Sequence, residues 1–152
     1  MKEKILKLIL IFPLIILGSC GYEPLNKNFD LEKININEKI FTGNKRINKK
    51  IFGKLNLKED NKISGYIIKL DSNKKIKDLS KDQAGNITSY KTTIITQVTL
   101  IKSQTVLKDK KFERNFTYSN LGNKFELSKY QREVENNIIN GITQDLKVFL
   151  VE

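Results

Sequence analysis

Residues 89–102 read Ser-Tyr-Lys-Thr-Thr-Ile-Ile-Thr-Gln-Val-Thr-Leu-Ile-Lys. Branched residues of this kind fit a pleated surface, so the run predicts a long β-strand. A period of two puts Tyr90, Thr92, Ile94, Thr96, Val98 and Leu100 on one face, and Lys91, Thr93, Ile95, Gln97, Thr99 and Ile101 on the other. Both faces are partly apolar, a pattern suited to cover on each side. A polar turn over 102–105 leads into residues 106–118, where Phe112, Arg114, Phe116 and Tyr118 alternate with Lys111, Glu113, Asn115 and Thr117. The two runs predict an antiparallel hairpin of unusual length. Asn120-Leu-Gly-Asn123 breaks it.

The pattern then changes to a helical period. Tyr130, Val134, Ile138, Ile142, Leu146 and Phe149 form one stripe, widened by Ile139 and Leu150. Arg132, Glu133, Glu135, Asn136, Asn140, Gln144 and Lys147 fall on the opposite side. Ser128 with Gln131 three residues later is a capping-box pattern, which predicts a C-terminal amphipathic helix of about twenty residues. Upstream, Ile47, Ile51, Phe52 and Leu55 recur at helical spacing, predicting a helix over 42–57 that tolerates Gly53. Residues 31–36 alternate and predict a first strand, and the β-rich residues 64–70 a second. Residues 71–86 are polar and lysine-dense, fit for a loop or a frayed strand extension. The predicted order is β-α-β-β-β-α: an α+β fold with a mostly antiparallel four-stranded sheet and two helices on one face.

The first twenty residues follow none of these periods. Lys2, Lys4 and Lys7 precede an apolar run from Leu8 to Leu17, and Gly18-Ser19-Cys20 closes it. A basic start, a short apolar centre and a small-residue site are the parts of an export signal. Ten apolar residues span about 15 Å as a helix, half a bilayer core, so the run is too short for a transmembrane anchor. Leu17-Gly18-Ser19-Cys20 resembles a bacterial lipobox, in which the cysteine becomes the first mature residue and carries the lipid. Cys20 is the only cysteine, and a lone cysteine in an exported chain has no intramolecular disulfide to form. The expected division is a signal peptide at 1–19, a lipidated tether at 20–30 and one domain at 31–152. Gly21 is not the aspartate that retains enterobacterial lipoproteins in the inner membrane, so by analogy the expected location is the outer membrane, lipid-anchored and facing the periplasm.

Charge and composition narrow the function. The chain carries a net +11, or +9 once the leader is removed, which suits an anionic partner. Export argues against nucleic acid, leaving an anionic membrane face or an acidic lipid headgroup. A chain rich in Lys, Asn and Ile also acquires such charge from AT-rich coding alone. No histidine is present, so imidazole supplies neither a general base nor a metal ligand. No Gly-rich phosphate loop or Gly-x-Ser-x-Gly elbow occurs, and no carboxylate pair stands out. The expectation is a non-enzyme without a cofactor or metal.

Cys20-Gly21-Tyr22-Glu23-Pro24-Leu25 follows the lipobox directly. Farther on, the long Thr- and Ile-rich strand with Tyr90, the return strand, Phe116-Thr-Tyr118-Ser-Asn120 and the helix near Glu126-Leu-Ser-Lys129 complete a pattern. This combination resembles the LPS-assembly lipoprotein LptE family. The resemblance implies a lipoprotein that plugs the LptD outer-membrane β-barrel, assists its assembly and helps deliver lipopolysaccharide to the outer leaflet. Its implied partners are an LptD-like barrel, lipopolysaccharide and, through the N-terminal lipid, the outer membrane. It also implies lipopolysaccharide contacts through basic residues. Lys129 matches a basic position of the family, and Lys81 sits near a second. Lys91, Lys102, Lys110, Lys111 and Arg114 along the hairpin are further candidates, against the alternative that they guard a solvated sheet edge. Phe112, Phe116 and Tyr118 are expected in the core or against a barrel wall. A long C-terminal tail like that of better-known members is not expected. A lipid-binding lipoprotein auxiliary to an envelope transporter, working without a barrel, is the alternative function. An enzyme on envelope glycans is a third, more remote one.

Overall fold

The computed structural model describes residue 31, residues 34–59 and residues 65–152. The leader, Cys20 and the tether lie outside the described residues. The elements are β1 (Asn35–Gly43), α1 (Lys45–Leu55), β2 (Lys58–Glu59), β3 (Tyr66–Lys81), β4 (Ile87–Lys102), β5 (Thr105–Ser119) and α2 (Lys124–Val151). The sheet order is β2-β1-β3-β4-β5. The α+β architecture is as the pattern predicts, with a fifth strand, β2, only two residues long. β1 pairs in parallel with both β2 and β3, because α1 carries the chain back before each of them begins. The β3–β4–β5 meander is antiparallel.

β1 lies later than the alternation suggested, at Asn35–Gly43 rather than 31–36. β1 also carries a bulge between Ile36 and Glu38. The extra residue, Asn37, flips the alternation, so Ile36 and Phe41 both face the helices despite opposite parity. At the end of β1, Gly43 adopts a left-handed φ of +63°, and a β-carbon there would collide with the carbonyl oxygen of Ser72. Asn44 then caps α1, its side-chain oxygen accepting from the Ile47 amide at 3.2 Å.

Residues 71–86 take the strand-extension form. β3 continues to Lys81, held by an unbroken ladder to β4 from Ile67 through Asp78. The tip is a tight turn in which the Asp82 carboxylate accepts from the amides of Ala84 (2.9 Å) and Asn86 (2.8 Å). The β4–β5 turn has Ser103 and Gln104 at φ of 49° and 64°, the pair of positive values that a two-residue hairpin loop needs.

α2 starts at Asn123, not Ser128. The Asn123 side chain accepts from the amides of Phe125 (2.8 Å) and Glu126 (3.3 Å), and the helix runs 28 residues. Ser128 instead accepts from the Arg132 guanidinium, one turn on. Both helices pack on one face of the sheet. There Ile68, Leu70, Ile94, Val98 and Leu100 meet Ile47, Ile51 and Leu55 of α1 and Ile139, Ile142 and Leu146 of α2. The other face of β4, expected to be covered, carries no layer among the described residues, and its residues are half-exposed. Among the described residues no helix is long and apolar enough to cross a membrane.

Candidate functional site

Glu135 is the residue that pattern reading placed wrongly. The helical period puts it on the solvent side of α2, yet its side chain is 1% exposed. α2 packs against the sheet and α1 together, so its buried arc is wider than one stripe. Glu135, Ile139, Ile142, Thr143 and Leu146 form the flank toward α1. Ile139 and Leu150, which broadened the predicted stripe, were the available sign of this second contact. Arg46 of α1 donates to Glu135 Oε2 at 2.7 Å, Lys74 of β3 to the same oxygen at 2.8 Å, and Lys50 of α1 to Oε1 at 3.1 Å. Lys50 also reaches Asn136 Oδ1 at 3.0 Å.

Burial is the largest influence on the Glu135 carboxyl and pushes its pKa up. Hydrogen bonds from Lys74 and Lys50 and the charges of Lys74 and Arg46 outweigh it and hold the pKa below the ordinary value. One carboxylate thus ties three elements together while leaving local cationic excess. Its partners grade outward, Lys74 20%, Lys50 34% and Arg46 59% exposed. Solvent therefore softens the cost of the uncompensated charge.

Beyond this junction the molecule changes character. β1 ends and α1 begins near Ser72, and β3, β4 and the end of β5 continue as a three-stranded ribbon flanked by the start of α2. Two contacts tie that helix and the segment leading into it to the ribbon. Tyr130 packs on Tyr118 at 5.8 Å between ring centroids, and the Asn120 side chain donates to the Ile87 carbonyl at 2.8 Å. Large apolar side chains stand in solvent at this distal end: Phe125 is 73% exposed, Leu79 53%, and Ile76 and Phe116 42% each. Lysines occupy the other face of the same ribbon. Lys77 lies directly opposite Lys91 across the ladder, with Lys75 two residues back on the same face. Like charges placed opposite each other are destabilising, and among the described residues no acid is paired with these three.

The candidate residues divide between this end and the rest of the hairpin. Lys81 at the tip, Lys91 and Lys129 on the first turns of α2 come to the distal end, all without an ion pair among the described residues. Lys102 lies at the far end of the hairpin, beside the Tyr66 ring at 4.7 Å. Lys110 stacks on Phe112 and Phe149, at 5.5 and 5.4 Å from the ring centroids. Lys111 sits 4.0 Å from Glu113 on the uncovered face. Arg114 makes a two-point pair with Asp145 at 2.8 Å, which raises its pKa, and its side chain crosses α2 over Gly141. The hairpin cations therefore form no single strip, since Lys91 and Lys111 face one way and Lys110 and Arg114 the other. Phe112 and Tyr118 are buried, as expected for core, whereas Phe116 is not. Lys75 and Lys77 have no defined face in the sequence pattern, because residues 71–86 fit either a loop or a frayed strand extension. Among the described residues no cluster of acidic side chains and cysteine is grouped to hold a metal.

No protein-family model and no curated protein sequence matches the chain. Solved structures do. The rare lipoprotein B from Shewanella oneidensis is 14% identical, with a TM-score of 0.54, covering 73% of this chain and 92% of its own. A minor lipoprotein from Acinetobacter baumannii is 9% identical with a TM-score of 0.57, covering 74% and 87%. Lipoprotein B from Nitrosomonas europaea is 14% identical with a TM-score of 0.54, covering 74% and 83%. This chain has the fold of those bacterial lipoproteins.

Proposed function

We propose that this chain is a lipid-anchored outer-membrane lipoprotein, facing the periplasm, that plugs an LptD-type β-barrel, assists its assembly and helps deliver lipopolysaccharide to the outer leaflet. The lipobox at Cys20 and a fold shared with lipoproteins support the anchor. The observation that carries the ligand reading is the distal end, which unpaired Lys81, Lys91 and Lys129 share with exposed Leu79, Phe116 and Phe125, Lys91 on the uncovered face and Phe116 on the helix face. A phosphorylated, acylated lipid offers the matching chemistry, since lysine binds phosphate as a point charge and the apolar side chains suit acyl groups.

Two measurements test the proposal. Purification from native membranes in mild detergent, followed by a high-salt wash, is expected to retain one large outer-membrane barrel at equal stoichiometry. Recovery of an inner-membrane transporter instead sinks the barrel reading. Binding of lipopolysaccharide by the K81A/K91A/K129A variant is expected to fall about tenfold or more, two to three charge-assisted contacts being at stake. K102A, at the opposite end, is expected to bind as the parent chain does. Equal loss in both overturns the assignment of the distal end.

A further inference from the structure

β3 outruns its neighbour β1. Their parallel pairing ends at Gly43 opposite Ser72, while β3 runs on to Lys81. The chain leaves the sheet there because the Asn44 amide donates to the Ser72 carbonyl at 2.6 Å and α1 begins at once. Past Ser72, β3 has β4 on one side and no strand on the other among the described residues. Backbone groups on that side form a row of unmatched donors and acceptors. The first irregularity in the β3–β4 ladder falls between Asp78 and Ser80. Residues 73–78 thus make a regular edge about 20 Å long, room for a strand of ordinary length.

We infer that this edge receives an extended segment of a partner protein in which acidic residues alternate with apolar ones, added as a further strand of the sheet. The pattern of the edge sets the pattern of its occupant. Lys75 and Lys77 project on the uncovered face, where Lys77 already opposes Lys91 without a compensating acid. Ile76 projects on the helix face and is 42% exposed. A strand laid alongside places every second side chain by Lys75 and Lys77 and the intervening ones by Ile76, which lies between Lys74, already bonded to Glu135, and Asp78. Carboxylates at the first set relieve the Lys77–Lys91 repulsion, and apolar groups at the second cover the isoleucine.

Charge also selects against the other obvious occupant. A second copy of this edge would bring the same lysines and be repelled, the usual protection of an open edge. The β5 edge differs. Its Lys108 donates to the carbonyls of Phe149 and Leu150, its Arg114 is paired with Asp145, and Asp109 and Glu113 are interleaved among its cations. That edge carries no unmatched charge pattern of the same kind. The inference rests on the sheet topology and stands apart from the lipopolysaccharide reading.

The test uses the full-length chain in detergent and a labelled peptide of about eight residues alternating Glu and Val, matched to the edge length. The peptide is expected to bind and to slow amide hydrogen exchange within residues 73–78. N-methylation of alternate peptide nitrogens, which blocks strand addition without altering charge, is expected to weaken it about tenfold or more. K75E/K77E is expected to weaken the Glu–Val peptide similarly and to favour a Lys–Val peptide, while its thermal unfolding temperature is at or above the parent's, since K77E replaces the repulsion with Lys91 by an attraction. Several results overturn the proposal: no binding, binding indifferent to N-methylation, or protection of 73–78 by phosphatidylglycerol vesicles but not by the peptide.

Discussion

The two ends of the β3–β4–β5 meander belong to the same three strands, yet they behave as different materials. At the end roofed by α1 and α2, inward positions are Ile68, Leu70, Val98 and Leu100, all buried, and the cations nearby are engaged. Lys108 completes the last carbonyls of α2 and Arg114 pairs with Asp145. At the distal end the inward positions become Ile76, Phe116 and the hydroxyl-bridged pair Thr92–Tyr118, bonded at 3.1 Å, and the lysines stand unpaired. The boundary lies at Ser72–Lys74, where β1 stops and Glu135 collects three cations. Cover, more than strand sequence, decides which half is core and which is surface.

That contrast is broken most sharply by truncating one apolar side chain in each half. Ile142→Ala removes a fully buried side chain from the roofed core and is expected to cost about 2–5 kcal/mol. Ile76→Ala in the distal ribbon is expected to cost less than about 1 kcal/mol. Urea unfolding of both variants gives the comparison. Equal losses would mean that the distal ribbon is covered in solution.

The boundary itself is tested at Glu135. Glu135→Gln keeps the shape, loses the charge and is expected to cost about 2 kcal/mol at neutral pH, the scale of hydrogen bonds to a charged group. Because the folded carboxyl lies below its ordinary value of 4.5, its stabilisation is complete above that value and is lost as pH falls through the folded one. The stability gap between parent and variant should therefore close in acid, and chemical denaturation at a series of pH values reads it. A gap that persists below the folded value would show that Glu135 acts through packing rather than charge.

The smallest effect concerns the turn that closes the roofed end. Ser103 and Gln104 both hold positive φ without being glycine. Gln104→Gly relieves a left-handed residue and is expected to stabilise by up to about 1 kcal/mol, offset in part by a more flexible unfolded chain. A higher melting temperature with unchanged lipopolysaccharide binding is the expected outcome.

Much of this was legible in the chain. Period two in β4 and β5, period 3.6 in both helices, the break at Asn120–Asn123 and the lipobox pattern at Cys20 all lie within short windows of sequence. Local geometry dictates them, because side-chain direction follows backbone period. Other features were not legible, for equally physical reasons. The β1 bulge at Asn37 is settled by pairing with β3, not by the residues of β1 alone. Residues 73–81 are strand because β4 supplies a ladder, although their lysines argue for a loop. Glu135 is buried because α1 arrives from 89 positions away in sequence with Arg46. The sequence by itself determined both helices, the four longer strands in outline and their order, but not β2. Only the tertiary structure decided which faces are roofed, which lysines are spent on internal partners and which edge is left open, since each depends on elements distant in the chain meeting in space.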